Sequence, residues 1–149
     1  MNDCKLSTEE AKELIELIKN IIGEKSIEFP KTGENLELYV DAINTKDKFI
    51  INIRRSKDNS KKCTYQGRTK INNIPLMRID IGSNLVHMNT DGTKIKGNHI
   101  HIYNEITEME DAIPFEENNE NLYKLCMIFF DKFNILKDEV DIIYQEQIF

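Results

Sequence analysis

The chain has no tryptophan, only three prolines and six glycines in 149 residues, and three cysteines at no CxxC spacing, Cys4, Cys63 and Cys126. An odd, scattered set of thiols argues against a disulfide framework and against a zinc ribbon. Scarce Gly and Pro argue against low-complexity and collagen-like chains. No apolar run approaches the ~20 residues of a membrane span. The opening Met1-Asn2-Asp3-Cys4-Lys5 has neither the basic start nor the apolar core of a signal peptide, so a cytoplasmic location is expected. P-loop, GxGxxG and GxSxG motifs are also missing.

What remains is ordinary globular composition, 40% hydrophobic and 31% charged. The length suits a single domain over residues 1–149 with its own core. A net charge of −6 argues against direct bulk binding to nucleic acid. It suits solubility, and docking onto a basic protein surface.

Ser7-Thr8-Glu9-Glu10 reads as a capping box. Ala11, Leu14, Ile15, Ile18, Ile21 and Ile22 recur at helical spacing as far as Gly23, with Lys12, Glu13, Glu16 and Lys19 on the opposite face. Ser26–Pro30 and Leu36–Ala42 flank a turn at residues 31–35 and predict a hairpin. Further strands are expected at Lys48–Arg55, Lys61–Thr69, Ile74–Gly82 and Asn98–Tyr103. Turn composition marks Ser56–Ser60 and Asn89-Thr90-Asp91-Gly92. Leu122, Leu125, Cys126, Phe129, Phe130 and Phe133 form the apolar stripe of a closing helix, Asn119–Phe133. Val140–Tyr144 fits an edge strand or a helical turn, and the tail to Phe149 is expected to be ordered because its apolar side chains disfavour water. The fold class is therefore α+β: a mostly antiparallel sheet of five to six strands, with an N-terminal and a C-terminal helix packed on one face.

All three histidines fall in His87–Tyr103. Side chains two apart on a strand share a face, so Ile100 and Ile102 are expected inward, and His99, His101 and Tyr103 outward. By the same alternation Arg78 and Asp80, and Asn52 and Arg54, face outward. Arg68 joins them in one of two readings of its strand; in the other, Cys63 and Tyr65 do. Imidazoles at i and i+2, roughly 7 Å apart at the backbone, can reach one ion, and His87 supplies a third ligand. Asp91 or Cys63 would be the fourth, with Asp80 and Glu105 also in reach of the same connection; Zn²⁺ is the metal this donor set suits. The bland reading is of exposed or hydrogen-bonded strand histidines. An alternative chemistry is metal-independent RNA cleavage, with His99 and His101 as acid and base, Arg54, Arg68 or Arg78 on the phosphate, and Tyr103 as a proton donor or stacking group. The carboxylates Glu105, Glu108, Glu110, Asp111, Glu116 and Glu117 form a solvated acidic loop or a docking surface.

From Phe49 onward the sequence resembles a family of uncharacterised small bacterial and phage proteins. The resemblance rests on Thr64-Tyr65-Gln66 with Arg68, Arg78-Ile79-Asp80-Ile81, His87-x-Asn89-x-Asp91-Gly92 and His99-Ile100-His101-Ile102-Tyr103. It implies that His87, Asp91, His99 and His101 belong to one feature, and it implies no activity. Asn104 stands where that pattern has a basic residue, and Ile106–Pro114 lacks its Lys-Trp segment. Both departures weaken the nuclease reading and leave metal binding untouched. The resulting expectation is a non-enzymatic protein of a phage or mobile element in the bacterial host cytoplasm. It would inhibit a basic, nucleic-acid-binding defence effector, as anti-CRISPR proteins do, with a structural zinc at the histidines. The alternatives are a toxin-type endoribonuclease and a ligand-free regulatory or scaffolding domain.

Overall fold

A computed structural model describes residues 5–58, 61–117, 121–138 and 140–144. Cys4, Asn59, Ser60, Asn119 and the tail from Gln145 to Phe149 lie outside the described residues. In chain order the elements are α1 (Thr8–Glu16), β1 (Lys19–Ile21), β2 (Ser26–Glu28), β3 (Asn35–Ala42), β4 (Lys48–Arg55), β5 (Cys63–Thr69) and β6 (Pro75–Ile81). They continue with β7 (Val86–Met88), β8 (Lys94–Lys96), β9 (His99–Ile102), β10 (Ile113–Pro114), α2 (Leu122–Lys132) and β11 (Asp141–Ile143). The main sheet runs β1-β3-β4-β5-β6-β9-β10, antiparallel throughout. The α+β class holds, with seven strands in this sheet rather than five to six, because short strands close both edges.

One of those edges replaces the second half of the expected first helix. Ser7 and Glu10 make the capping box as read, but the helix stops at Glu16. The β-branched run that follows favours extended backbone, and Lys19–Ile21 pairs with Val40–Ala42 of β3. Ile18 is consequently exposed, and Lys19, expected on the solvent face, is wholly buried. Its Nζ donates to the carbonyls of Ile15, Leu17 and Phe133, each at 2.8 Å. The ammonium also sits over the rings of Phe133 and Phe49. One cation thus ties together the carboxyl ends of both helices, where backbone carbonyls lack helical partners and favour positive charge.

The expected hairpin from Ser26 to Ala42 is absent. The turn at residues 31–34 forms, with Gly33 at φ +82°, but β2 pairs in parallel with β11. That assigns Val140–Tyr144 to an edge strand. Phe29 meets Tyr144 edge-on there, with ring centres 5.2 Å apart.

One sheet face carries the core. Leu38, Val40, Phe49, Ile51, Ile53, Tyr65, Ile79 and Ile100 pack with Ala11 and Ile15 of α1 and with Leu125, Phe129 and Phe130 of α2. Gly67 lies under the Phe133 ring: a Cβ there would stand 2.6 to 2.9 Å from three ring carbons. Because a close-packed aromatic ring has little room to retreat, Gly67→Ala is expected to destabilise the fold by about 1–3 kcal/mol in urea unfolding. A loss below 0.5 kcal/mol would show that the ring can move aside.

Candidate metal centre

The opposite face of the sheet is polar, and backbone register builds it. Two rows cross the strands: Asn52–Gln66–Arg78–His101 and Arg54–Thr64–Asp80–His99. Arg68, opposite Ile50, belongs to this face and bonds Asn52, Asn73 and Glu37. Cys63 takes the other parity. It is buried in the core, where burial pushes its thiol up to about 12; its expected role as a ligand is corrected, because its side chain lies on the sheet face opposite the histidines.

The connection from β6 to β9 folds back as a small hairpin. β7 and β8 pair, and the turn between them closes through Asn89 N–H to Thr93 O and Gly92 N–H to Asn89 O. His87 sits opposite the buried Ile95, so these two share the inward side of the hairpin, while Val86, Met88, Lys94 and Lys96 are exposed. Residues 110–112 clamp it. Asn89 exchanges two hydrogen bonds with the backbone of Ala112, and Asp111 accepts from the N–H and hydroxyl of Thr90. Part of the acidic run is therefore structural rather than solvated. Glu105 likewise exchanges bonds with Thr8. Glu108, Glu110, Glu116 and Glu117 are exposed.

This architecture brings His87, His99 and His101 together. One ligand atom from each lies within 4.8 Å of the others, and the ring centres are 4.8 to 5.2 Å apart. His101 is completely buried, His99 nearly so, and His87 half-buried. Each ring presents one nitrogen to a backbone carbonyl: His99 Nδ1 to Gly97, His101 Nδ1 to Asp111, His87 Nε2 to Glu110. A carbonyl only accepts, so the proton sits on that nitrogen, and the other nitrogen is the one available to a ligand.

Asp80 completes the group. Its Oδ2 lies 3.1 Å from His99 Nε2 and 3.3 Å from His101 Nε2. It also accepts from Arg78 Nε at 3.1 Å, while Thr64 donates to Oδ1. Burial works to raise the Asp80 pKa. The hydrogen bonds from both imidazoles, the Arg78 charge and the Thr64 hydroxyl outweigh it and hold the carboxyl far below its usual range. The bond to Asp80 raises the pKa of His99; burial opposes this and the Gly97 carbonyl adds to it. Arg78 Nη2 approaches His101 Nε2 at 3.1 Å.

Two other expected site residues stand elsewhere. Asp91 is exposed, and its side chain accepts from Thr93 N–H within the hairpin turn, so it does not join the histidines. Tyr103 sinks into the core, with its hydroxyl on Leu6 O. The alternation fails there because β9 ends at Ile102 and a register shift opposite Gly67 and Arg68 leaves Leu76 as an extra buried residue, whose carbonyl takes the Tyr103 N–H. Ile102, expected inward, is half-exposed. The sequence reading missed the three orienting carbonyls, which no residue type signals, and the clamp from Asn89 to Ala112.

Sheet and cluster together define an antiparallel α+β domain with three histidines gathered beneath a hairpin, two of them in contact with Asp80. The chain belongs to a family of unknown function, DUF6978, whose pattern matches residues 6–135. No curated protein and no solved structure matches it. Among the described residues, no helix is long and apolar enough to cross a membrane.

Proposed function

We propose that this is a non-catalytic interaction protein whose hairpin is pinned to the sheet by a structural zinc held by His87, His99, His101 and Asp80. The observation that carries the reading is the orientation of the imidazoles by three backbone carbonyls, with a carboxylate oxygen at both Nε2 atoms. Such outer hydrogen bonds are how metal-binding histidines are fixed in one tautomer. With bonds of 2.0–2.1 Å, neighbouring ligand atoms of a tetrahedral zinc lie about 3.3 Å apart; Asp80 Oδ2 already stands at 3.1 and 3.3 Å from His99 and His101, and the three histidine atoms, within 4.8 Å of one another, would close in around the ion. A zinc there would take the place of the proton His99 shares with Asp80.

The partner this reading favours is a basic protein surface, such as the nucleic-acid groove of a host defence nuclease blocked by an anti-CRISPR-like inhibitor. Its support is the net charge of −6 and the exposed carboxylates of residues 108–117. The endoribonuclease reading has less support, because His99 and His101 are enclosed by protein and their nitrogens are already engaged. Full-length RNA after incubation with the protein is the expected result.

Elemental analysis of protein purified without a histidine tag is expected to find one zinc per chain. Substoichiometric metal that stays low after zinc supplementation would sink the metal half. Expression in a host that carries a defence nuclease is expected to restore phage plating. Unchanged plating across several such systems would remove the inhibitor half.

A further inference from the structure

Beyond the histidines, the polar face continues toward β4 as a shallow groove of about 170 Å³, lined by Asn52, Arg54, Thr64, Gln66, Arg78 and Asp80. At ~30 Å³ per water, that is room for a small ion and part of its hydration shell. Its acidic members are already engaged. Asp80 is shared among Thr64, Arg78 and the imidazoles, and Glu37, next to the groove, meets Arg68 at 3.3 Å. The Arg54 guanidinium has no partner among the described residues. Arg54 and Arg78 stand two strands and one row apart, roughly 12 Å at the backbone, with Gln66 and Thr64 between them on β5.

Arg78 links this groove to the histidines through the contact between its Nη2 and His101 Nε2. A metal on His101 occupies the Nε2 atom that Arg78 Nη2 and Asp80 Oδ2 now meet. It also sets a divalent cation beside a guanidinium, which like-charge repulsion disfavours. An N–H group so freed has the adjoining groove, which Arg78 itself lines, within reach.

We propose that metal loading turns this groove into a binding site for a small doubly charged oxyanion of the phosphate class, held between the guanidinium groups of Arg78 and Arg54. The inference rests on the metal reading above and adds a ligand and its coupling. Arginine forks match the spacing of oxygens on such anions. The acidic net charge of the protein favours a small ion over a long polyanion.

Sulfate is a suitable probe, since it stays doubly charged at neutral pH and does not strip zinc. Tag-free protein carrying one measured zinc per chain is titrated with sulfate against chloride at matched ionic strength, followed by ¹H–¹⁵N NMR. Saturable shifts at residues 54, 64, 66 and 78 are expected. Affinity is expected to fall at least tenfold in the metal-free protein and in zinc-loaded Arg54→Gln. Because Arg54 is exposed, that variant is expected to keep its zinc and its melting temperature. Equal affinity with and without zinc would overturn the coupling. Sulfate shifts no larger than those with chloride, in protein that holds its zinc, would overturn the proposal and leave the metal reading standing. Failure to take up zinc at all would remove both. Tighter binding of a single-stranded oligonucleotide at the same residues would overturn the small-ligand form.

Discussion

Chelation of zinc from the purified protein is expected to lower its melting temperature by about 8–16 °C at pH 7.5. A ligand present at a thousand times its dissociation constant contributes about 4 kcal/mol to the folded state, and each kcal/mol shifts the midpoint of a chain of this size by about 2–4 °C. The pH dependence is expected to reverse as well. In the metal-free protein, His99 has a raised pKa, so the stability it adds is fully present below its unfolded value near 6.5 and is lost as pH climbs through the folded value. Asp80 has a depressed pKa, so its contribution is present above about 3.9 and is lost only as acid protonates it in the folded state. Both act together between about pH 4 and 6.5, and metal-free protein is expected to melt lower at pH 8 than at pH 6. Zinc needs unprotonated imidazoles, so its contribution grows over the same interval. Parallel pH profiles with and without zinc would show that the metal does not replace the proton between His99 and Asp80. In His99→Gln the metal-free slope is expected to flatten.

Lys19→Met is expected to cost about 3 kcal/mol or more, read by denaturant unfolding. The methionine fits the volume, but the carbonyls of Ile15, Leu17 and Phe133 lose their donor. Bonds from a charged donor contribute about 1.5–3 kcal/mol each. Part of that is offset in the native protein, because burial pulls the Lys19 ammonium down to about 7. The helix ends at residues 15–17 and 133 are expected to lose hydrogen-exchange protection before the sheet does. A loss below 1 kcal/mol with unchanged protection would mean that the cation is not what joins α1 to α2.

Helix–sheet packing was legible wherever a period was clean. The alternation in Lys48–Arg55 and the stripe from Leu122 to Phe133 name core residues directly, and the capping box at Ser7 marks where α1 starts. The end of α1 was not legible: Ile18, Ile21 and Ile22 satisfy a helical stripe and a strand equally, and the choice fell to pairing with β3 and to the carbonyls awaiting Lys19. The same limit applies to β2, which has a turn and a strand after it, yet pairs with β11 more than a hundred residues away in sequence.

At the candidate site, spacing alone places His99 beside His101 and Arg78 beside Asp80, because alternation on a strand is a local property of the backbone. Which rows adjoin depends on register between strands. That long-range pairing selected Asp80 over Asp91 and Cys63 as the carboxylate or thiol at the rings. The carbonyls of Gly97, Glu110 and Asp111 carry no residue-type signature, so only the folded chain could show which nitrogen of each imidazole is held and which is offered. Sequence by itself determined the chemistry in hand: three imidazoles, an acidic surface and an antiparallel α+β scaffold. Tertiary structure decided how that chemistry is assembled, since convergence of side chains from separate strands follows from contacts that local sequence does not encode.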